Sequence, residues 1–387
     1  MSSSTKKRKI LIVGPAYPYR GGNSLFVSHL YFQLTDEFEV KIFNYKLLYP
    51  SILFPGTTQY DKSESIYKKA PNERIVNSIN PLNWFITAKK ILKENPDLVV
   101  FDWWHPFFGL CHFVISFLLK NKLRSKILFI TENFVSHEGH FIDKVLTRIG
   151  LNNAGGFLAL SGKVADELNE IKGARKVYRS ELPVYDCYQT SESSKDQILN
   201  QIGFSKSDKI LLFFGYVRKY KGLDILLNAA PEIFKLDSNF KLLVVGEFYD
   251  NPEGYFSLIT KHQIESKVKI INQFVSNEEV QTYYSIADLV ILPYRSATQS
   301  GILNIAYGFG KPVLVTNVGG LSEFVENEST GIIVAPDSTK ALVEGVRKYL
   351  ELADKTDFKN NIHNFIKKNS FQNIQVLFKQ IVSEMQI

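Results

Sequence analysis

The sequence predicts an α/β fold built from two doubly wound parallel sheets. Short apolar segments alternate with helical patterns over residues 9–181 and again over residues 210–316, and this alternation is typical of parallel sheets. The polar, serine-rich segment 186–197 separates the two series and is predicted to be a linker. A chain of 387 residues is also too long for one ordinary hydrophobic core. We therefore expect domains at 1–185 and 198–370, and a final helix at 371–387 that packs back on the N-terminal domain.

The first series is predicted to contain six strands, at 9–13, 40–43, 98–102, 127–131, 156–160 and 176–181. The predicted helices begin near Leu25 or occupy 84–94, 108–119 and 164–171. Residues 46–82 contain several Tyr, Pro and Ser with little periodicity, so we expect a long functional loop that shapes a binding pocket.

The segment 103–119 is a charge-free run of 17 residues, at the lower edge of membrane-spanning length. Pro106, Gly109 and His112 interrupt the run, so a buried crossover helix is favoured over a membrane span. A third interpretation is shallow contact with a bilayer, in which lipid head groups meet the basic residues Lys120, Lys122, Arg124 and Lys126.

Polar residues at the predicted C-terminal strand ends mark candidate binding positions, because ligands of doubly wound sheets bind at that edge. Gly21 and Gly22 follow the first strand and could admit a phosphate to backbone N–H groups, although a plain tight turn is an equal alternative. This loop is not the dinucleotide fingerprint G-x-G-x-x-G, and no acidic residue closes the next strand, so a nicotinamide enzyme is disfavoured. Glu132, Asn133 and His137 follow another strand, where each could instead only cap a loop.

The stretch LLFFGYVRKYKGLD, residues 211–224, is the strongest candidate site of the second series. An apolar strand runs into Gly215, and three cations, Arg218, Lys219 and Lys221, precede a helix start. Because like charges this close repel one another, we expect the loop to face a phosphate or diphosphate at the helix N-terminus. The alternative is a solvated basic turn.

The rest of the second series is predicted to continue the same alternation. Further strands are expected at 241–245, 268–271, 289–292 and 313–316, and helices at 223–234, 254–262, 301–309, 339–352 and 371–385. Ser276 and Glu279 match a capping box for another helix, which ends near Ala287. After the strand at 313–316, the sequence 319–323 predicts a glycine loop and a helix, which would give a second set of N–H groups for a phosphate.

Composition and charge limit the classes of protein that fit this sequence. The chain is 45% hydrophobic and 22% charged, which is typical of a globular protein. Cys111 and Cys187 are too few for a disulfide framework, and no cleavable signal peptide is recognised, so we expect a reducing cytosol.

Positive charge is concentrated in the first half of the chain. Residues 1–190 hold 25 Lys/Arg against 17 Asp/Glu, whereas residues 191–387 hold 21 against 22. This asymmetry favours an anionic partner such as a membrane surface, although the tail at 6–9 supplies part of the excess. We expect no nucleic-acid partner, because no helix-turn-helix, zinc-ligand spacing or RNP-like strand is recognised.

Three segments of the second half resemble the retaining GT-B glycosyltransferases of family 4. They are FFGYVRKYKGLDILLNA, VQTYYSIADLVILP and GKPVLVTNVGGLSEFVENESTGIIV, which lie in that order within residues 211–336. The resemblance implies two Rossmann-like domains facing across a cleft, a nucleotide-sugar donor on the C-terminal domain and an acceptor on the N-terminal one. It also implies that no metal and no cofactor are required.

The resemblance assigns roles to individual residues. Lys221 matches the family's lysine on the donor diphosphate, and Arg218 replaces the family's arginine, whose position Tyr216 occupies. Glu132 stands where the family has an imidazole and is expected to be catalytic with these two cations. The other donor contacts are expected from Gly21, Gly22, Gly215, Thr298, Gln299, Ser300, Gly301 and Asn304, and the acceptor contacts from Asn133 and His137.

The sequence departs from the family at its E-x7-E motif, because Ala297 and Ile305 occupy the positions of the two glutamates. The polar loop 296–301 would then recognise the sugar, and Asn304 would serve the ribose. The expected activity is retaining transfer of a hexose to a hydroxyl of a carbohydrate or lipid-linked acceptor in cell-envelope synthesis. It would take place in the cytoplasm, with peripheral contact at the inner face of an anionic membrane. The alternative is a non-catalytic subunit that binds a sugar nucleotide, and an oxidoreductase is a distant third.

Overall fold

The structure is a computed structural model that describes residues 7–54, 56, 58–61, 63, 69–134, 141–171, 173, 175–184 and 194–385. The chain divides into two compact units. The first contains Met1–Glu181 and Ser370–Ile387, and the second contains Leu182–Asn369. The predicted linker falls mostly on 185–193, outside the described residues.

The first unit is built on a seven-stranded sheet in which all neighbouring strands are parallel. The strand order is β3-β2-β1-β4-β5-β6-β7. The strands are β1 Lys9–Val13, β2 Glu39–Leu47, β3 Glu73–Asn77, β4 Leu98–Trp103, β5 Ile127–Thr131, β6 Gly156–Ala159 and β7 Lys176–Arg179. Every residue of β4 and β5 is buried, as expected for central parallel strands covered on both faces.

Five helices connect these strands, namely α1 Gly22–Thr35, α2 Pro81–Glu94, α3 Gly109–Leu123, α4 Phe141–Gly150 and α5 Gly162–Ile171. The helix α3 contains most of the charge-free run and buries Cys111, His112, Ile115 and Leu119. The prediction of a buried crossover helix is therefore confirmed. None of the helices in the described part of the chain is long and apolar enough to cross a bilayer.

The second unit is built on a six-stranded parallel sheet of order β10-β9-β8-β11-β12-β13. Its strands are β8 Lys209–Phe214, β9 Phe240–Val245, β10 Val268–Ile271, β11 Ala287–Leu292, β12 Val313–Thr316 and β13 Gly331–Val334. Its helices are α6 Lys195–Ile202, α7 Leu223–Leu236, α8 Glu253–Lys261, α9 Asn277–Ile286, α10 Gly301–Gly308, α11 Thr339–Ala353 and α12 Phe358–Lys368. The predicted capping box at Ser276 and Glu279 is confirmed at the start of α9.

The last helix, α13 Phe371–Glu384, is part of the first unit. Phe371 lies against the rings of Phe26 and His29 on α1. Gln375 donates a hydrogen bond to the carbonyl oxygen of Gln33 at 2.9 Å. α13 therefore packs on α1.

Three sequence predictions of local structure are wrong. The loop predicted over 46–82 contains β3, an edge strand whose side chains are mostly exposed and so give little apolar pattern. The predicted linker overlaps α6, which begins at Lys195 because Ser194 and Gln197 form a capping box. The helix predicted after 319–320 is a single 3-10 turn, Ser322–Phe324, and the chain then returns to pair β13 with β12.

Candidate functional site

The basic loop after β8 is shaped by two glycines. Gly215 has φ of 101°, and a Cβ placed on it would lie 3.1 Å from Nζ of Lys221 and 3.0 Å from Cδ1 of Ile302. Gly222 has φ of 69°, and its Cβ would lie 2.0 Å from the carbonyl oxygen of Pro293. Both positions favour glycine for their backbone conformation, and Gly222 also requires it for space. The two glycines thereby bring the lysine amine against the end of β8.

Lys221 is a buried cation, only 6% exposed. It belongs to the 3-10 turn Lys219–Lys221 that precedes α7, and its Nζ lies 5.4 Å from the ring centroid of Tyr294. Burial and, as a smaller cause, the positive charge of Arg218 together lower the pKa of Lys221 to about 7. An anion at this position would offset both effects, because it favours the charged form of the amine.

Arg218 is supported by a pair of tyrosines. Its guanidinium carbon lies 5.1 Å from the ring centroid of Tyr249, within cation-π range. Tyr249 in turn stacks on Tyr216, with 4.7 Å between ring centroids. Tyr216, which occupies the family's arginine position, is therefore part of the aromatic stack that supports Arg218.

Arg295 fixes the turn that carries Lys221. It donates to both carboxylate oxygens of Asp224 at 2.7 Å and to the carbonyl oxygen of Lys219 at 2.8 Å. Its backbone N–H donates to the carbonyl oxygen of Tyr220 at 2.6 Å. Burial raises the pKa of Asp224, but the hydrogen bonds and charge of Arg295 outweigh burial and hold that pKa below its usual value.

The loop 296–301 approaches the basic loop at the N-terminus of α10. Ile302, in the first turn of α10, lies against Gly215 as described above. Ser300 caps the helix and accepts a hydrogen bond from the backbone N–H of Leu303 at 3.4 Å. Gly320 donates its N–H to the carbonyl oxygen of Ala297 at 3.3 Å, so the second glycine loop also reaches this place. The contact of Ile302 with Gly215 thus brings the first turn of α10, which Ser300 caps, to the end of β8 beside Lys221.

Asn304 is a buried residue of α10, and its contact with a ribose stays a prediction. It is 2% exposed, and its amide nitrogen donates to the carbonyl oxygens of Leu182 at 2.9 Å and Pro183 at 3.2 Å. The amide group therefore holds the segment 182–183 against α10.

The glycines of the first unit border open space. Gly21 is the N-cap of α1 with φ of 110°, a conformation that favours glycine. A Cβ on Gly21 or Gly22 would meet no atom within 4 Å. Nothing in the packing therefore requires a glycine at position 22, and the N-terminal backbone of α1 is open to a ligand.

Glu132 lies at the same strand edge and forms a carboxyl pair with Asp102. It is 6% exposed and accepts a hydrogen bond from Nδ2 of Asn23 at 2.8 Å. Asp102 is the last residue but one of the neighbouring strand β4 and is 1% exposed. Burial raises the pKa of Asp102 well above its usual value, and the nearby charge of Glu132 raises it further. Two carboxyls this close in a buried place do not both ionise readily, because each negative charge disfavours the other.

The predicted acceptor residues are only partly described. Asn133 is half-buried, and its amide donates to the carbonyl oxygen of Trp104 at 3.4 Å. His137 lies outside the described residues. The described residues contain no cluster of His, Cys, Asp or Glu suited to a metal ion.

Sequence reasoning missed four residues that shape these sites, namely Asp102, Asp224, Tyr249 and Arg295. Asp102 lies at the end of a predicted strand and Tyr249 shortly after another, so their placement at the C-terminal strand edge was a usable signal. Asp224 and Arg295 are 71 residues apart, and nothing in a single sequence pairs them.

Known glycosyltransferases resemble this chain in sequence and in fold. Residues 194–368 match the family model described as "Glycosyl transferases group 1". The chain is 27% identical over 203 residues to the lipopolysaccharide 1,2-N-acetylglucosaminetransferase of Salmonella typhimurium, a match that covers 50% of this chain and 53% of that protein. It is 24% identical over 390 residues to the glycosyltransferase MJ1178 of Methanocaldococcus jannaschii, covering 97% and 98% of the two chains.

The fold of this chain is similar to that of a solved structure. The crystal structure of Anabaena Alr3699/HepE in complex with UDP and glucose has a TM-score of 0.71 to this chain, with 17% identity and coverage of 97% and 100%. This likeness concerns the fold alone. The C-terminal unit therefore carries the sequence pattern of group 1 glycosyltransferases, and the two units have the Rossmann-like folds of GT-B glycosyltransferases.

Proposed function

We propose that this protein is a retaining glycosyltransferase of family 4 that transfers a hexose from a nucleotide diphosphate sugar to a hydroxyl acceptor. The acceptor is a carbohydrate or lipid-linked glycan of the cell envelope, used at the inner face of the cell membrane. Similarity over half of the chain to a lipopolysaccharide N-acetylglucosaminetransferase supports this acceptor class. The observation that carries the proposal is the buried amine of Lys221 beside Arg218 at the open end of β8.

The diphosphate is the part of the donor for which the site is best suited. A buried lysine with a second cation nearby is unfavourable without an anion. A diphosphate supplies that anion, and its leaving oxygen gains negative charge as the glycosidic bond breaks. Lys221 and Arg218, held in place before the reaction, would stabilise that charge in the transition state. The amine is already oriented by Gly215 and by the turn that Arg295 clamps.

The sugar would be recognised by neutral groups. Ala297 and Ile305 are both buried, so neither position of the family's E-x7-E motif offers a carboxylate. Thr298, Gln299, Ser300 and the backbone at Gly301 remain to bind the hexose hydroxyls. In the first unit, Glu132 and the backbone of Gly21 and Gly22 offer acceptor and donor groups at a strand edge. We propose that the reaction needs neither metal nor cofactor.

The absence of both glutamates also favours a second candidate, a non-catalytic subunit that binds a sugar nucleotide for an active partner. The two candidates make different predictions for turnover. Release of nucleotide diphosphate from a panel of UDP-, GDP-, ADP- and CDP-sugars, with and without envelope glycolipid and with and without EDTA, separates them. A transferase releases nucleotide in an acceptor-dependent manner, whereas donor binding with no turnover under any of these acceptors indicates the subunit.

The variant Lys221→Ala tests the assignment of the amine. Turnover should fall by about 10² or more, because removal of one preorganised charge partner of a transition state costs about 2.7 to 4 kcal/mol. Lys219→Ala is the matched control, because Lys219 is exposed on the same turn and carries the same charge. Equal rates for the two variants would refute the role of Lys221.

A further inference from the structure

The first unit exposes large apolar side chains on three neighbouring helices. The helices α2 and α3 pack side by side, as do α3 and α4. α2 connects β3 to β4, α3 connects β4 to β5, and α4 connects β5 to β6. All three connections run in the same direction along the sheet, so right-handed crossovers place the three helices on one face of it. We call the following exposed side chains the apolar zone: Leu82, Phe85, Ile86, Leu110, Phe117, Phe141, Ile142 and Val145. Two of them, Leu82 and Phe141, are 76% and 81% exposed.

The exposed residues of each helix form a stripe that is apolar first and basic later. On α2, Leu82, Phe85 and Ile86 are followed at helical spacing by the exposed Lys89, Lys90 and Lys93. On α3, the exposed Leu110 and Phe117 precede the partly buried Lys120, whose amine lies 3.7 Å from the ring centroid of Phe117, and the exposed Arg124 follows directly after the helix. On α4, Phe141 and Val145 precede Arg148. In all three helices, the exposed apolar side chains therefore lie toward the N-terminus and the basic side chains toward the C-terminus.

Charge on this face is strongly positive. The segments 81–94, 109–126 and 141–150 contain nine Lys or Arg and two Asp or Glu. One of the two acids, Glu94, is paired with Lys9 at 2.8 Å and with Lys41 at 2.6 Å. A surface with this charge attracts anionic lipid, at about 1 kcal/mol for each Lys or Arg near the membrane surface.

The apolar ends of these helices lie on the same side of the sheet as the candidate acceptor residues. Crossover helices begin where the preceding strand ends, so the apolar ends of α2, α3 and α4 lie toward the C-terminal strand edge. Glu132 and the Gly21–Gly22 backbone lie at that same edge. Ile52 and Leu53, which are 91% and 57% exposed, follow β2 there and extend the apolar end. The basic ends lie about 20 Å farther along each helix.

We propose that α2, α3 and α4 dock this protein on a bilayer containing anionic lipid, with the apolar zone in the interface and the basic helix ends on phosphate head groups. Apolar insertion combined with electrostatic attraction is the ordinary basis of peripheral binding. The docked face would bring a lipid-linked acceptor to the strand edge that holds Glu132. The delivery of an acceptor rests on the proposed function, whereas docking itself requires no catalysis.

The test is vesicle co-sedimentation of the full chain without substrates. Wild-type protein should bind vesicles of phosphatidylcholine mixed with phosphatidylglycerol, and this binding should weaken as salt increases. Lys89→Glu/Lys90→Glu and Phe141→Ser/Ile142→Ser should each weaken it by about 10-fold or more. The side chains in both variants are exposed, so the fold should persist, as circular dichroism would verify. Lys261→Glu/Lys269→Glu, at two exposed lysines of the second unit, should bind like the wild type.

Three results would overturn the proposal. The first is that the wild type does not bind anionic vesicles, and the second is that it binds vesicles of phosphatidylcholine alone equally well. The third is that Lys261→Glu/Lys269→Glu loses as much binding as the two variants of the first unit. Concentration-dependent dimerisation that Phe141→Ser/Ile142→Ser abolishes would assign the face to a second copy of the chain instead. Slow hydrolysis of a soluble sugar nucleotide, measured in the same variants without vesicles, separates failure of docking from failure of the proposed transferase.

Discussion

Arg295 binds both carboxylate oxygens of Asp224 at 2.7 Å, across the turn that presents Lys221. The same guanidinium donates to the carbonyl oxygen of Lys219. The pair therefore joins the end of β11 to the start of α7 and holds the buried lysine in one place. Preorganisation of a charged group matters in catalysis because a small displacement of it lowers the rate steeply.

Arg295→Lys should lower both stability and turnover. A single ammonium cannot replace the two-pronged contact with Asp224. We expect the free energy of unfolding to fall by about 1 to 2 kcal/mol, a modest loss because solvent screens the two partly exposed side chains. We expect kcat to fall by about 10-fold or more. Urea unfolding and steady-state kinetics measure the two effects. Arg347→Lys, in an exposed i,i+3 pair with Glu344, should change neither, and an equal effect there would contradict the clamp.

Lys221→Met should stabilise the ligand-free protein below neutral pH while it abolishes turnover. The pKa of Lys221 is about 7 in the folded chain against 10.5 as its ordinary value. The folded state therefore holds a disfavoured charge below pH 7, and this penalty disappears as pH rises toward 10.5. We expect the variant to be more stable by a few kcal/mol at pH 6, and the difference to shrink in alkali. Thermal melts across pH test this, and a variant less stable at every pH would refute it.

Binding of a nucleotide diphosphate should take up a proton near pH 8. In the free protein the amine of Lys221 is then largely neutral, and a bound anion raises its pKa again. Calorimetry in buffers of different ionisation enthalpy should give an uptake approaching one proton in the wild type. Lys221→Arg keeps the charge but does not titrate in this range, so its proton uptake should be close to zero. Equal uptake in both proteins would mean that another group is responsible.

Asp102→Asn should match the stability of the wild type below about pH 4, where the carboxyl is protonated in both states and resembles a neutral amide, and should be the more stable protein at neutral pH. The raised pKa of Asp102 means that the folded state keeps a proton that the unfolded chain releases above its ordinary value of 3.8. Stability of the wild type should therefore fall as pH rises through the raised pKa, and Asp102→Asn should lose that part of the slope. Melting temperatures from about pH 5 to about pH 9 measure the slope. Strong destabilisation at pH 7 would show instead that Asp102 is ionised.

Sequence patterns predicted the elements that bury long apolar runs. The central strands β4, β5, β8 and β11 are buried over nearly their whole lengths, and an apolar segment of that length is readable without a structure. The edge strand β3 buries little besides Val76, so its sequence resembles that of a loop. The helices α4, α6 and α12 were missed. α6 and α12 each bury only one narrow face and so contain few apolar residues, whereas the apolar residues of α4 are largely exposed.

The candidate site was predictable where its chemistry is local in the sequence. Gly215, Arg218 and Lys221 are close neighbours in the chain, and their residue types indicated an anion site. Asp102 and Glu132 are brought together by the pairing of β4 with β5, so the raised pKa of Asp102 depends on tertiary structure. Asn304 was assigned to the ribose from its spacing, but its amide group holds the backbone of 182–183, a contact with a segment more than 100 residues away.

The affinity of phosphorylated nucleotides for the wild type and two lysine variants tests the central claim most directly. Titration calorimetry would compare the nucleoside, its monophosphate and its diphosphate, with the base chosen by a melting screen. If Lys221 holds the diphosphate, Lys221→Ala should lose about 10- to 100-fold of diphosphate affinity and little affinity for the nucleoside, while Lys219→Ala stays close to the wild type. Unchanged diphosphate affinity in Lys221→Ala would contradict the account.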